Sequence, residues 1–156
     1  MQFPVLPLQV AAGKDEPTAA DWADVLATFP LFAGTPRRRL RALVEGATLA
    51  EYGPGDVVIQ HGDRGDSLFV ILGGSAKVVG KEAARTLGTG DYFGELGVLE
   101  DVPRSASIVA SGELHVMRLS RKAFLRLARR DPDVSLKMLS SLGSQFRRLE
   151  TRTAQV

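Results

Sequence analysis

The chain contains no cysteine among its 156 residues. Disulfide bonds, thiolate nucleophiles and cysteine-ligated zinc are therefore excluded. Histidine is scarce as well, since only His61 and His115 are present, whereas a metal site needs about three imidazole or carboxylate ligands that converge on one ion. The sequence also lacks the nucleophile elbow of hydrolases. We therefore expect no metal, no cofactor and no catalytic residue, and we predict that the protein is not an enzyme.

Long apolar runs and a strong net charge are missing too. No stretch approaches the roughly 20 apolar residues of a membrane span. The apolar N-terminus is broken by Pro4 and Pro7 and has no basic start, so we do not interpret it as a signal peptide. With 20 basic and 18 acidic residues, the formal net charge of +2 gives no bulk field. We expect a cytoplasmic protein that binds no membrane and, because it has no helix-turn-helix pattern, no nucleic acid directly.

The length suits one domain with a single core. We divide the chain into an N-terminal tail of residues 1–16 and one domain of residues 17–153. Within that domain, residues 17–46 are predicted to form a helical lead-in. Residues 47–119 follow as short strands, and residues 120–153 as two C-terminal helices.

Two capping signals predict the helices of the lead-in. Thr18, with Asp21 three residues later, predicts a helix over residues 19–29. Thr35, followed by proline at the favoured first position, predicts a second helix over residues 36–44. The arginines of the second helix are open to two interpretations, a nucleic-acid patch or a solvated helix face, and we favour the solvated face because no aromatic residues lie between them. They are Arg37, Arg38, Arg39 and Arg41.

From residue 47 onwards the pattern changes to short apolar segments separated by glycine. Turn signals recur about every 8–12 residues, which is typical of a sandwich or barrel and not of a parallel sheet. The predicted strand segments are residues 49–51, 57–59, 67–72, 76–79, 85–87, 105–110 and 113–119.

The C-terminal helices begin after Ser120, which is a plausible N-cap for a helix over residues 121–130. Residues 131–133 read Asp-Pro-Asp and end that helix, and a second helix follows over residues 134–151. Its apolar residues form a narrow seam that suits a partner helix, so a homodimer through this helix is one expectation. The seam covers only about two heptads, and packing against the strands fits it equally well. It consists of Leu139, Leu142, Phe146 and Leu149.

A glycine-rich turn lies within residues 91–110. Gly94 and Gly97 bracket Glu95 and Leu96. Glycine permits turned conformations in which several backbone N–H groups converge on one point. Such a point binds anions without a row of lysines.

Two charged side chains accompany this turn. Arg104 follows Pro103 where the loop enters a strand, and its planar guanidinium suits a phosphate. Glu95 cannot bind a phosphate when ionised, but it can accept a hydrogen bond from a hydroxyl such as a ribose 2′-OH. The turn, the arginine and the carboxylate together indicate a sugar–phosphate ligand.

This stretch resembles the phosphate-binding cassette of the cyclic nucleotide-binding domain family. That cassette reads Phe-Gly-Glu, then small and aliphatic residues, a few loop residues, and Arg-(Ser/Thr/Ala)-Ala-(Ser/Thr)-Val. Here residues 93–99 read Phe-Gly-Glu-Leu-Gly-Val-Leu and residues 104–108 read Arg-Ser-Ala-Ser-Ile. We call residues 93–108 the cassette. The resemblance implies an α+β, mainly β fold, in which an eight-stranded jelly-roll β-roll is flanked by N-terminal helices and two C-terminal helices.

The resemblance also implies a function. Family members are sensor domains, and we expect this chain to bind 3′,5′-cAMP, with cGMP less favoured, and to relay binding by moving its C-terminal helices. In the bacterial regulators of the family, the last helix dimerises and closes over the nucleotide. Arg104 and the N–H groups of residues 94–97 would hold the phosphate, and Glu95 would hold the ribose. The other positions that the resemblance assigns to the ligand are Leu96, Ser105, Val78, Leu87 and Arg148.

Two alternatives stay open at this point. The same fold could serve as a constitutive protein-interaction module that acts through its helices. The same turn could also bind another small anionic nucleotide, such as a cyclic dinucleotide. The downstream protein that would receive the signal is not identified by the sequence.

Overall fold

The structure of the chain is a computed structural model that describes residues 17–80, 85–100 and 102–154; side chains of the last helix are described as far as Ser144 and again at Arg147. The predicted tail lies outside the described residues. The helices are α1 (Ala19–Ala27), α2 (Arg37–Glu45), α3 (Glu95–Leu99), α4 (Arg121–Arg130) and α5 (Pro132–Ala154), with a 3-10 turn at Pro30–Phe32. The strands are β1 (Thr48–Tyr52), β2 (Val57–Ile59), β3 (Ser67–Val79), β4 (Arg85–Leu87), β5 (Tyr92–Phe93) and β6 (Ser107–Ser120).

The strands pair in antiparallel fashion around two long central members, β3 and β6. The sheet order is β1-β6-β3-β4, while β2 pairs with β6 and β5 pairs with β3. Helices precede and follow this sheet, and α3 interrupts it. The predicted mainly-β architecture with flanking helices is therefore confirmed.

The strand count differs from the predicted eight, because six strands are present in the described residues. Residues 67–72 and 76–79 were predicted as separate strands but form the single strand β3, whose register with β6 shifts on either side of Gly73 and Gly74. Residues 113–119 likewise continue β6. A bulge bends a strand and increases its twist without ending its pairing, so glycines that we read as turns are bends within long strands.

Two clusters of buried side chains hold the fold together. The larger cluster joins the helices to one face of the sheet and includes Trp22, Phe32, Met117 and Phe124. The smaller cluster lies within the roll and is built from Ile59, Phe69, Ile71, Leu87, Phe93, Ile108, Leu114 and Val116, among others. Burial of apolar surface at about 25 cal/mol per Å² makes these clusters the main stabilising contribution.

One predicted cap is confirmed and another is wrong. The Thr18 hydroxyl accepts from the Asp21 amide at 3.2 Å, and the Asp21 carboxylate accepts from the Thr18 amide at 2.8 Å, which completes a capping box. Thr35 does not cap α2, because its own amide donates to the Phe32 carbonyl and its side chain is buried. Pro36 occupies the cap position and makes no side-chain cap hydrogen bond.

The C-terminal helices follow the predicted capping pattern. The Ser120 hydroxyl accepts from the Ala123 amide at 3.1 Å, as an N-cap does. In α5, Val134 and Met138 are buried in the larger cluster and Leu142 packs against it. Leu139 is 61% exposed, and the side chains of Phe146 and Leu149 lie outside the described residues. The first half of α5 therefore packs back on the domain.

Candidate functional site

The cassette begins where β5 meets α3. Phe93 stacks on Phe69 of β3, with ring centroids 5.1 Å apart and planes within 6°, so the start of the cassette is fixed to the centre of the sheet. Gly94 follows with a φ of 87° and serves as the N-cap of α3. A side chain at that φ would be strained, which is why the turn into α3 uses glycine.

The backbone of Arg104 is fixed by two hydrogen bonds to the turn after β2. Its amide donates to the Asp63 carbonyl at 2.8 Å, and its carbonyl accepts from the Gly62 amide at 2.9 Å. The cassette therefore closes against the β2–β3 loop before β6 begins. This pairing sets the direction in which the Arg104 side chain leaves the chain.

The Arg104 guanidinium bridges two walls of the site. Nη1 donates to the Gly94 carbonyl at 3.0 Å, and Nη2 donates to the Ser67 carbonyl at 3.1 Å. The residue is only 9% exposed. A Cβ on Gly97 would stand 2.5 Å from Nη1, so the absence of a side chain at Gly97 lets α3 lie directly on the guanidinium.

Burial lowers the pKa of Arg104 below its ordinary value, because a desolvated cation is disfavoured, while the nearby Asp66 carboxylate acts in the opposite direction. Arginine remains charged in proteins despite such a shift. A buried cation is costly unless it is paired and hydrogen-bonded. The electrostatics of this position therefore favour an anion beside Arg104.

Glu95 supplies the complementary acceptor. It lies in the first turn of α3, is 9% exposed and borders the same cleft as Arg104. Its carboxylate forms no hydrogen bond or ion pair with any residue that the structure describes. An ionised carboxylate can only accept hydrogen bonds, so this group is available to a hydroxyl donor.

The structure brings most of the predicted site residues into one cleft. Val78, at the far end of β3, faces the cassette across this cleft. The side chain of Arg148 lies outside the described residues, so its predicted role stays a prediction. Leu87 is buried in the smaller core cluster and lines a separate depression beside α5. The cleft is lined by Ile59, Val78, Arg85, Phe93, Gly94, Glu95, Leu96, Gly97, Pro103, Arg104, Ser105, Ala106 and Ile108.

Arg85 is a cleft residue that the sequence analysis missed. It opens β4, where Val78 is its partner on β3. The residues of a strand alternate between its two faces, so Arg85 and Leu87 share one face. Because the resemblance assigned Leu87 to the ligand, the alternation of the strand already indicated that Arg85 lies on the same side.

Arg121 connects the cassette to the C-terminal helices. Its guanidinium donates to the Gly97 carbonyl and, at 3.4 Å, to the Glu100 carbonyl. Because Arg121 is the first residue of α4, the α3 end of the cassette is attached directly to the start of that helix. No motif in the sequence indicates this role of Arg121.

Features of other site classes are absent from the described part of the chain. No three histidine, aspartate or glutamate side chains lie together there as metal ligands would. Neither does any helix there have the length and apolar character needed to cross a membrane. The Nδ1 atom of His115 lies 3.5 Å from the Glu51 carboxylate on the neighbouring strand.

The sequence profile of the cyclic nucleotide-binding domain family matches residues 49–131, which extend from β1 to the end of α4. The chain belongs to this family. A cAMP-dependent protein kinase regulatory subunit of Mycosarcoma maydis is 37% identical over 112 residues, covering 65% of this chain and 21% of the relative. The corresponding subunit of Colletotrichum orbiculare is 37% identical over 110 residues, covering 68% and 28%.

Solved structures share the fold over most of the chain. The domain PKAR CBD2, bound to Sp-2Cl-cAMPS, superposes with a TM-score of 0.74 at 25% identity, covering 85% of this chain and 92% of that one. The catabolite activator protein of Thermus thermophilus gives a TM-score of 0.68 at 28% identity, covering 80% and 61%. The jelly-roll fold that the cassette implied is thereby confirmed.

The comparisons refine two expectations. The curated relatives are named as regulatory and not as catalytic subunits, in line with the prediction that the chain is not an enzyme. The resemblance is not confined to the bacterial regulators of the family, because these curated relatives are fungal, while a bacterial regulator shares the fold. The chain spans only about a quarter of the length of the curated relatives it matches.

Proposed function

We propose that this domain binds a 3′,5′-cyclic nucleotide, with cAMP as the first candidate, and relays binding to a downstream protein through its C-terminal helices. The observation that carries the proposal is that one cleft holds both the buried Arg104 guanidinium and a buried Glu95 carboxylate that has no hydrogen-bond or ion-pair partner among the described residues. A cyclic nucleotide presents a phosphate and a ribose 2′-OH a few atoms apart, which matches this pair of groups.

The chemistry of each contact follows from the donors and acceptors present. The cyclic phosphate would take charge-assisted hydrogen bonds from Arg104, with further N–H donors from the start of α3. The ribose 2′-OH would donate to Glu95. Ser105 lines the cleft and adds a hydroxyl near the phosphate or base. The base would rest against the apolar wall of Ile59, Val78 and Ile108.

A second candidate ligand, cGMP, is favoured by one observation, the presence of Arg85 in the cleft. Arginine pairs with both O6 and N7 of guanine, whereas adenine carries an amino donor in place of O6. The Arg85 guanidinium could therefore stabilise guanine more than adenine. We keep cAMP first because a relative with the same fold is bound to a cAMP analogue.

The relay would start at Arg121. Ligand binding to the cassette would shift the carbonyls of residues 97 and 100, and Arg121 holds both of them to the start of α4. The movement would then pass to α5, which follows after Asp131. Such a switch requires that the ligand bind one arrangement of the helices more tightly than the other. The downstream protein, and a homodimer through α5, remain proposals.

The direct test is isothermal titration of the protein with cAMP and with cGMP. We expect saturable binding of at least one nucleotide. A charge-assisted hydrogen bond contributes about 1.5–3 kcal/mol, so Arg104→Ala should weaken binding about ten- to a hundredfold or more. Arg41→Ala, which removes an exposed arginine of α2, is the matched control and should bind as wild type does. The absence of heat with either nucleotide, from folded and nucleotide-free protein, would favour the constitutive interaction module.

A further inference from the structure

Basic residues are concentrated on two short helices outside the nucleotide cleft. Helices α2 and α4 together hold nine of the twenty basic residues of the chain but only one of its eighteen acidic residues, Glu45. The whole chain has a formal net charge of only +2, so the rest of the chain is acidic on balance. Helices α2 and α4 therefore form a strongly cationic region in a chain of low overall charge.

The fold places these two helices side by side. Arg39 of α2 donates from Nη1 to the carbonyl of Arg130, the last residue of α4, at 2.7 Å. On α4 the exposed cations recur at helical spacing, so they share one face. We call the exposed set the arginine surface. It consists of Arg37, Arg38 and Arg41 on α2 and of Lys122, Arg126, Arg129 and Arg130 on α4.

Part of this arrangement opposes the stability of the helices that carry it, although Arg129 and Arg130 lie favourably in the last turn of α4. Like charges four residues apart destabilise a helix, and α4 has two such pairs, Lys122 with Arg126 and Arg126 with Arg130. Arginines in the first turn of α2 also lie at the positive end of the helix dipole. Arg37 pairs with Asp24 at 2.9 Å, but the four exposed cations of α4 form no ion pair with any carboxylate in the described residues. Their charge is therefore available to an external anion.

The composition of the arginine surface identifies the anion. All of its members except Lys122 are arginines, whose planar donors bind phosphate oxygens in pairs. At 1.5 Å per residue, Lys122, Arg126 and Arg130 form a row with steps of about 6 Å. Such a row suits a linear polyanion with regularly spaced phosphates.

Two other phosphate-bearing partners fit less well. The large exposed apolar residues in the described part of the chain lie outside α2 and α4, so the surface has nothing to insert into a bilayer. Single strands are held by bases stacked on aromatic side chains, but the one aromatic residue of α2 and α4, Phe124, is buried. A duplex needs neither feature, because its phosphates are all on the outside.

We propose that the arginine surface binds the sugar–phosphate backbone of a nucleic-acid duplex without regard to sequence. This proposal revises the expectation of a solvated helix face. That expectation rested on the arginines of α2 alone, because the sequence does not show that α4 lies beside α2. The proposal also replaces the expectation of no direct nucleic-acid binding. The surface does not overlap the cleft, so the inference is independent of the proposed nucleotide ligand.

The test is fluorescence anisotropy with a labelled duplex of about 20 base pairs, titrated with the full chain between about 50 and 200 mM salt. Each phosphate contact contributes about −0.9 to the slope of log K against log salt concentration. We expect the double substitution Arg126→Gln with Arg129→Gln to make the slope less steep by about 1.8 and to weaken binding at low salt at least tenfold. The corresponding double substitution to lysine should keep most of the slope.

Lys77→Gln is the matched control, because Lys77 is an exposed cation of β3 that lies outside α2 and α4. It should leave both the slope and the affinity at their wild-type values, and circular dichroism should show every variant folded. The proposal is overturned if the wild-type protein does not bind the duplex at about 50 mM salt or if the glutamine variant keeps the full slope. It is also overturned if polyglutamate or phosphatidylserine vesicles bind more tightly than the duplex.

Discussion

The Arg104 guanidinium donates to the carbonyl of Gly94 at 3.0 Å, so the buried cation of the cassette is fastened to the residue that caps α3. Arg104 and the N–H groups at the start of α3 are thus parts of one unit. A ligand that moves the guanidinium must also move the start of α3. In the proposed function, binding and conformational change would be linked at this contact.

Gly97→Ala should damage the site through a steric effect. The added Cβ would stand 2.5 Å from Nη1 of Arg104 and would also press on the Gly65 carbonyl. We expect a loss of about 1–3 kcal/mol in the free energy of unfolding and weaker nucleotide binding, measured by urea denaturation and titration. Gly112→Ala is the control, because a Cβ there meets no atom within 4 Å. Equal effects of the two substitutions would contradict the packing of α3 on Arg104.

Glu95→Gln should weaken cAMP binding through the ribose. The amide keeps the shape of the carboxylate but loses the charge that strengthens the hydrogen bond to the 2′-OH. We expect an affinity loss of about tenfold for cAMP and little change for 2′-deoxy-cAMP, measured by titration. If the substitution weakened both ligands equally, Glu95 would act on the fold of the cassette and not on the ribose.

Arg121→Gln should uncouple the cassette from the C-terminal helices. The variant loses the charged donors to the carbonyls of residues 97 and 100 but keeps Arg104 and Glu95 in the cleft. We expect it to bind nucleotide, while ligand no longer changes hydrogen exchange along α4 and α5. Lys122→Gln, one residue further on and exposed, should retain the wild-type response. An unaltered exchange response in Arg121→Gln would contradict the relay through this residue.

We expect the protein to lose stability at alkaline pH because Tyr92 is buried. Burial raises its pKa above the ordinary value of 10.0, and this outweighs the hydrogen bond with Ser141, which lowers it. The unfolded chain therefore releases this proton at lower pH than the folded protein does. The contribution of the protonated Tyr92 side chain to the free energy of unfolding is complete below pH 10 and falls as the pH rises beyond it. Urea denaturation from about pH 8 to about pH 11 should show this fall, and Tyr92→Phe should reduce it; an equally steep fall in the variant would contradict the assignment.

The sequence alone predicted that Glu95 and Arg104 lie together, because the cassette motif depends on local spacing. Glu95 and Arg104 are separated by a short loop, and the motif they form needs no knowledge of distant strands. Periodicity and capping likewise predicted α1 and α4, since Thr18 and Ser120 bond within their own helices. Features that depend on neighbours in sequence were therefore accessible.

Most of the errors concern features that depend on distant parts of the chain. Gly73 and Gly74 look like a turn, but pairing with β6 continues across them and makes β3 one long strand. Thr35 has the residue type of a cap, yet its amide donates to the carbonyl of Phe32 in the preceding 3-10 turn, and its side chain is buried. Arg121 gained a role only when α4 was packed beside the cassette. Tertiary contacts override local preference at β3 and at Arg121, whereas at Thr35 a competing local turn does so.

The most direct measurement of the central claim is a nuclear magnetic resonance titration of isotope-labelled protein with cAMP. The account predicts that the largest shifts occur at the backbone amides of residues 94–97 and at the Arg104 side-chain Nε–H, with smaller shifts along α4 and α5. Saturable binding whose largest shifts lie away from the cassette, or the absence of any shift at those amides with both cAMP and cGMP, would contradict it.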